Sequence, residues 1–132
     1  MIAGGPKPVA PFSHAVEADG WVFVTGQMPF LGTDLDSGYP DGIEAQTRQV
    51  FHNLANVLEG CGLGLEHVLQ VRVYLTHFER DYEPMNAIYA SYFKPGRRPA
   101  RTCIGVTGLA KNALIEIDMI ARRPSASSAR GQ

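Results

Sequence analysis

The chain has 132 residues, of which 45% are hydrophobic, and this length and composition predict a single globular domain with an ordinary buried core. Its 12 basic residues nearly balance its 13 acidic ones, which argues against a protein whose main partner is nucleic acid. No apolar run is long enough to cross a membrane, and the N-terminal segment lacks the apolar region of a signal peptide. The two cysteines, Cys61 and Cys103, are too few for a disulfide framework or a zinc site, so we expect a reduced, cytoplasmic setting.

The first predicted element is a β-hairpin. Ala15 to Ala18 and Trp21 to Thr25 flank Asp19-Gly20, a dipeptide typical of two-residue hairpin turns. The second strand leads into Gly26, where the lack of a side chain allows a backbone or a ligand to approach closely. Phe30 to Gly42 is rich in glycine, aspartate and serine and predicts a loop.

An amphipathic helix is predicted next. Asp41 followed three residues later by Glu44 resembles a capping box at its N-terminus. Three glycines, beginning at Gly60, end the helix. Between these signals one largely apolar stripe recurs at helical spacing, made of Ile43, Thr47, Val50, Phe51, Leu54, Val57 and Leu58.

The middle of the chain predicts a strand and a second helix. Val68 to Leu75 alternates apolar and polar residues, with Leu69 on the apolar side, as in a half-buried strand. The helix opens at Asp81 or a near neighbour, with Pro84 in its first turn. Its predicted buried side consists of Tyr82, Met85, Ile88, Tyr89, Tyr92 and Phe93.

Two strands close the predicted domain, Arg101 to Val106 and Leu114 to Ala121. Because only a short polar connection separates them, we expect them to pair and to bring Arg101 close to Glu116. The guanidinium of Arg101 is a planar fork of donors that matches a carboxylate or a phosphate. An ordinary surface salt bridge between Arg101 and Glu116 is the simpler alternative.

The predicted element order β-β-α-β-α-β-β defines a two-layer α+β domain with a mixed sheet and two helices on one face. We expect this single domain over residues 1–123 and a disordered tail over residues 124–132. Both faces of the second strand carry bulky residues, so the uncovered sheet face should be buried against other subunits. Arg101 and Glu116 would then lie at a subunit boundary of a homo-oligomer.

Other reactive residues suggest less. Cys103 shares a strand face with Arg101, whose charge can lower a thiol pKa, but no histidine base is placed nearby and a structural cysteine is favoured. Glu116 and Asp118 also share a face, either as an acid–base pair or as ordinary charges on an exposed strand. We predict no metal site, because the histidines lie far apart on different elements, at His14, His52, His67 and His77.

Five short blocks carry a family resemblance over most of the chain, from Pro11 to Ala121. They are Pro11-Phe12-Ser13-His14-Ala15-Val16, Thr25-Gly26-Gln27-Met28-Pro29, Gln46-Thr47-Arg48-Gln49-Val50, Arg98-Pro99-Ala100-Arg101-Thr102-Cys103 and Ile115-Glu116-Ile117. In this order they resemble the RidA/YjgF family of imine deaminases, which are also called L-PSP endoribonucleases.

The resemblance implies a chorismate-mutase-like fold and a homotrimer with three active sites in the clefts between subunits. It implies hydrolysis of the 2-enamine and 2-imino acids released by pyridoxal-phosphate enzymes, giving 2-oxo acids and ammonia. Because an imine carbon is already electrophilic, we expect no metal, cofactor or covalent nucleophile.

The resemblance also implies roles for particular residues. Arg101 would clamp the substrate carboxylate, and Glu116 would position or activate the attacking water. Gly26 and Cys103 would line the pocket with their backbone, next to Thr25.

This sequence departs from the family pattern at two places. Phe12, a further substrate-binding position, stands where the family commonly has tyrosine, so a hydroxyl is missing and the substrate preference should differ. The segment Leu109-Ala110-Lys111-Asn112 replaces the family's Leu-Pro-Lys-Gly loop. Asn86 matches a polar position of the family's second helix, for which we expect a structural role.

Two other functions stay open. The family's older name implies an endoribonuclease, against which the near-neutral charge counts. A non-catalytic module, in which Arg101 merely captures a small carboxylic acid, is the second.

Overall fold

The structure, a computed structural model, describes residues 14–32 and 35–124. Phe12 and residues 125–132 of the predicted tail lie outside the described residues. The described chain forms one five-stranded sheet with two helices packed on one of its faces. The elements are β1 (Ala15–Ala18), β2 (Trp21–Gln27), α1 (Ile43–Gly60), β3 (Val68–Leu75), α2 (Phe78–Ala90), β4 (Ala100–Gly105) and β5 (Ile115–Arg122), with 3-10 turns at Leu35–Ser37, Leu65–His67 and Ala110–Asn112.

The order of the strands in the sheet is β1-β2-β5-β3-β4. The pair β3–β4 is parallel and the other pairs are antiparallel. The two-layer α+β architecture and the element order are therefore confirmed, but the expected pairing of β4 with β5 is wrong. Helix α2 carries the chain over the sheet from β3 to β4, as a parallel connection requires, and β4 becomes the edge strand. Strand β5 then pairs with the opposite edge of β3.

The hairpin of β1 and β2 is confirmed. Asp19 and Gly20 have φ angles of 52° and 83°. Positive φ at both central residues is the geometry of the type I′ turn, whose twist matches that of the flanking strands. This geometry explains why an Asp-Gly pair stands at this point of the sequence.

The two ends of α1 differ in how well the sequence predicted them. The residue that precedes the helix is Gly42, with φ of 87° and no side-chain cap, so the predicted capping box of Asp41 and Glu44 is wrong. The C-terminal end is a Schellman motif, in which the N–H of Gly62 bonds to the Glu59 carbonyl and the N–H of Leu63 to the Leu58 carbonyl. Gly62, with φ of 76°, reverses the chain there as predicted.

Helix α2 begins earlier than its sequence suggests. The N–H of Asp81 donates to the carbonyl of His77, so the helix starts at Phe78 and Pro84 lies in its second turn. Pro84 removes one backbone hydrogen bond, and burial of the neighbouring side chains of Met85 and Ile88 holds the helix against the sheet and α1.

The core lies between the helices and the covered sheet face. All seven residues of the predicted α1 stripe are buried. In β3 a register shift against β5 between Val68 and Gln70 buries Val68 and leaves Leu69 exposed, so the predicted inward position of Leu69 is wrong. Within the described ranges, no helix combines the length and apolar character needed to cross a membrane.

No other described element of the chain covers the second face of the sheet. This face exposes large apolar side chains near β1 and β2, among them Val16, Trp21 and Phe23, and Ile104 on β4. A sheet face that exposes several large apolar side chains is typical of a subunit contact. The sequence-based prediction of a semi-apolar second face is confirmed.

Candidate active site

Arg101 lies on the helix-covered side of the edge strand β4. Its neighbour across the parallel ladder is Val71, whose side chain is fully buried beneath the helices. The Nη1 of Arg101 donates to Asn86 Oδ1 at 2.6 Å, and Nη2 donates to the Tyr82 hydroxyl at 3.3 Å. These two bonds from α2 orient the guanidinium and leave other N–H donors of the fork for a ligand.

Aromatic rings of α2 support the same guanidinium. The Arg101 Cζ atom lies 4.8 Å from the centroid of the Tyr89 ring and 5.8 Å from that of Tyr82. Tyr82, Asn86 and Tyr89 are four and three residues apart, which places them on one face of the helix. The structural role that we expect for Asn86 is to hold Arg101, and the core positions predicted for Tyr89 and Tyr82 are confirmed, but the contact of both tyrosines with Arg101 is not predicted by the sequence. The sequence signal for this contact is that all three residues carry polar groups and recur at helical spacing on one face.

A pocket of about 310 Å³ opens beside this group. We call it the arginine pocket, and its lining consists of Asn86, Tyr89, Ala90, Arg98, Pro99 and Arg101. Two guanidinium groups thus border one small pocket, and none of the described residues that line it carries a carboxylate. Its charge and size suit a small anionic ligand.

Glu116 lies on the other, uncovered face of the sheet. Its neighbours in β5, Ile115 and Ile117, are fully buried towards the helices, so the Glu116 side chain must point away from them. A bulge in the pairing of β2 with β5 brings Gly26 beneath this carboxylate. A side chain at Gly26 would collide with Glu116 Oε2. The predicted close approach at Gly26 is therefore made by Glu116 itself.

A polar network surrounds Glu116 on that face. Asp118 accepts two hydrogen bonds from Arg72, at 2.8 and 2.9 Å, and one from the Tyr74 hydroxyl at 3.0 Å. Tyr74 is also the residue directly across from Glu116 on β3. Burial, together with the charge of Asp118, raises the pKa of Glu116 above its ordinary range. This carboxyl group therefore binds a proton more tightly than an exposed glutamate does.

Arg101 and Glu116 do not meet within one chain. Strand β3 lies between their strands, and their side chains point to opposite faces of the sheet. The expected intrachain neighbourhood, and with it a simple surface salt bridge between the two, is wrong. The physical reason is the crossover through α2, which places β4 on the far side of β3.

The remaining predicted site residues divide between the two faces. Cys103 lies beside Val73 on the helix side, and burial raises the pKa of its thiol although the Arg101 charge opposes this. This direction agrees with the structural cysteine that the sequence favours and not with an activated thiolate. Thr25 lies in the bulge next to Gly26, where its N–H donates to the His14 carbonyl at 2.9 Å.

This fold and the two groups around Arg101 and Glu116 define a small α+β protein of the Rid class. The sequence profile of the family described as Endoribonuclease L-PSP matches residues 3–123. The chain belongs to this family, the RidA/YjgF family that its sequence resembles.

Two curated relatives illustrate the match. The chain is 37% identical over 125 residues to a RutC family protein of Synechocystis, covering 95% of each chain. It is 41% identical over 118 residues to a RutC family protein of Pyrococcus horikoshii, covering 88% of this chain and 90% of the relative.

Solved structures share the fold. RidA from the Antarctic bacterium Psychrobacter superposes with a TM-score of 0.81 at 28% identity, covering 90% of this chain and 94% of that one. TdcF from E. coli, solved with bound serine, has a TM-score of 0.81 at 25% identity, covering 91% and 94%.

Proposed function

We propose that the protein hydrolyses 2-imino and 2-enamine acids to 2-oxo acids and ammonia. The observation that carries the proposal is the state of Arg101. In residues 14–32 and 35–124 no carboxylate pairs with it, yet Asn86 and Tyr82 hold its guanidinium in place. A fixed, unneutralised fork is suited to a substrate carboxylate, and serine bound to TdcF shows that a related fold accepts a small molecule carrying one.

Glu116 supplies the chemistry in this proposal. The oxygen of a water molecule adds to the imine carbon while the C=N π electrons move to the nitrogen. Glu116 takes the proton from the water and returns it to the nitrogen. This gives a carbinolamine, whose hydroxyl proton then passes to the amino nitrogen by way of Glu116. As the O–H electrons form the C=O bond of the 2-oxo acid, the C–N bond breaks and ammonia leaves with its electron pair. A carboxyl group with a raised pKa suits both proton transfers near neutral pH.

The proposed site requires more than one chain. Arg101 and Glu116 lie on opposite faces of one sheet, so a second copy must bring its Glu116 to the arginine pocket. The uncovered face with Val16 and Phe23 offers an apolar surface for this contact. We therefore include a homotrimer with three intersubunit sites, as the family resemblance implies. Both cysteines are free, in keeping with the cytoplasmic setting that we also infer.

An imine decay assay tests the proposal directly. An amino-acid oxidase generates the imine, and its lifetime is followed with and without the protein. We expect the wild type to shorten the lifetime and Arg101→Ala to lose this effect. Arg97→Ala, which changes the same charge outside the arginine pocket, should behave like the wild type. No acceleration with any imine would refute the deaminase proposal.

The description of the family keeps an endoribonuclease as the second candidate. It predicts RNA cleavage and RNA binding that weakens steeply with salt, because phosphate contacts release counterions. The formal net charge of −1 counts against it. A pure binding module would instead bind 2-oxo acids without shortening the lifetime of any imine.

A further inference from the structure

We propose that Arg98 makes the arginine pocket a site for two negative charges, so that its preferred ligands are 2-imino and 2-oxo acids with an acidic side chain. This inference rests on the proposed function, which assigns the first carboxylate of the substrate to Arg101. Arg98 would bind the second acidic group. The substrate class would then be the imino acids that form from acidic amino acids such as glutamate.

Arg98 borders the same pocket as Arg101 and is not neutralised. It is exposed, and within the described part of the chain no carboxylate forms an ion pair with it. Pro99, which also lines the pocket, restricts the backbone of Arg98 to extended conformations. The second guanidinium is therefore attached to a stiff segment beside the first.

The hydroxyl of Tyr89 is a buried donor on the residue that supports Arg101. Tyr89 is 5% exposed and lines the pocket, and its hydroxyl has no hydrogen-bond partner among the described residues. Burial raises the pKa of Tyr89, and the charges of Arg101 and Arg98 both oppose this rise. The hydroxyl is thus a protonated donor without an acceptor among the described residues.

Size and charge together select the ligand class. The part of the pocket that one chain contributes, about 310 Å³, has room for a small dicarboxylic acid. Two cations that border this volume favour a compact dianion over a monoanion with an apolar tail. A five-carbon dicarboxylic 2-oxo acid meets both requirements.

Calorimetric titration of the full chain with two product analogues tests the inference. The probes are 2-oxoglutarate and 2-oxopentanoate, which have the same carbon chain and differ by the second carboxylate. At low ionic strength we expect 2-oxoglutarate to bind about tenfold more tightly to the wild type. Arg98→Gln should remove this preference, because it weakens the binding of 2-oxoglutarate far more than that of 2-oxopentanoate.

Arg97 provides the matched control. It precedes Arg98 in the chain but borders a different pocket, together with Glu66 and Lys94. Arg97→Gln makes the same change in charge and should keep the full preference for 2-oxoglutarate. Circular dichroism would verify that both variants are folded.

Two results would overturn the inference. If the wild type and Arg98→Gln show the same preference for 2-oxoglutarate, the role of Arg98 is refuted. The proposed function survives that result, provided that 2-oxopentanoate still binds and that its binding depends on Arg101. If neither 2-oxo acid binds the wild type, the carboxylate clamp itself fails, and the proposed function falls with this inference.

Discussion

Arg101 and Glu116 lie on opposite faces of the sheet, with β3 between their strands. Each has its own surroundings, because Arg101 is held by α2 whereas Glu116 rests over Gly26. A catalytic site that uses both residues must therefore combine two copies of the chain. If both residues serve the proposed site, activity requires assembly.

Mixed oligomers of two inactive variants should regain activity. If Arg101 and Glu116 of one site come from different chains, then Arg101→Ala and Glu116→Gln are each inactive alone. In a cyclic trimer that contains both variants, one of the three sites combines the native Arg101 of one chain with the native Glu116 of the next, so doubly purified mixed trimers should regain about a third of the wild-type activity. Co-expression with two affinity tags, purification through both, and the imine decay assay would measure this. Mixed oligomers as inactive as their parents would place both residues in one chain's site.

Replacing Arg101 should abolish turnover without changing assembly. Lysine keeps the charge but has no planar fork, and it cannot reproduce the bonds to both Asn86 and Tyr82. We expect Arg101→Lys to lower kcat/KM roughly 100-fold, since misorientation of a bound substrate costs about that much. Steady-state assays would show it, with Arg97→Lys as the control. Near-wild-type rates for Arg101→Lys would mean that only the charge matters.

Glu116 should make the stability of the protein depend on pH. Burial and Asp118 raise its folded-state pKa above the ordinary 4.5, so the folded protein binds more protons than the unfolded chain in the interval between the two values. The contribution of Glu116 is complete below about pH 4.5 and is lost as the pH rises through the folded-state pKa. Glu116→Gln removes this titration. The unfolding free energy of the variant should therefore rise relative to that of the wild type as the pH rises.

Urea unfolding at several pH values from about 4 to 8 would measure this difference. Glu59→Gln is the control, because Glu59 is an exposed carboxylate on α1. A constant difference between Glu116→Gln and the wild type over the whole range would contradict the raised pKa. Turnover and 2-oxo acid binding, assayed on the same variant, distinguish a catalytic role of Glu116 from a binding role. If Glu116 positions the water, its replacement affects turnover far more than binding.

Gly26→Ala should lower activity while leaving the fold intact. Gly26 does not have a positive φ, so its backbone accepts alanine, but the added Cβ collides with Glu116 Oε2. The flexible carboxylate of Glu116 can move away, which displaces it from the position that the proposed mechanism requires. We expect turnover to fall about tenfold or more, whereas thermal unfolding changes little. In a Glu116→Ala background the same substitution should have no further effect, and an added loss there would indicate a different role for Gly26.

A charge on the uncovered sheet face should dissociate the oligomer. Phe23 is 46% exposed in the single chain and lies on this face, so Phe23→Glu would bury a charge in the proposed subunit contact. Leu31→Glu is the control, since Leu31 is 58% exposed but lies outside the sheet. Sedimentation equilibrium at micromolar concentration should give a trimer for the wild type and for the control. A trimer with Phe23→Glu would place the contact elsewhere, and a wild-type monomer would refute the trimeric site.

Local sequence by itself determined the elements of this protein. The Asp19-Gly20 pair predicts the hairpin because only residues that tolerate positive φ form its turn. The apolar stripe of α1 predicts a buried helix face because helical spacing aligns it, and Gly62 predicts the end of that helix. Such signals act over a few residues, which is why they can be recognised without the fold.

Only the tertiary structure decided which strands pair and which side chains meet. The short connection between β4 and β5 suggested a hairpin, but the crossover through α2 inserted β3 between them. The same long-range pairing separated Arg101 from Glu116 and brought Asn86, Tyr82 and Tyr89 to Arg101 instead. Strand partners are chosen by the burial of entire faces and by the path of the chain over the sheet, and no local run of residues contains that information.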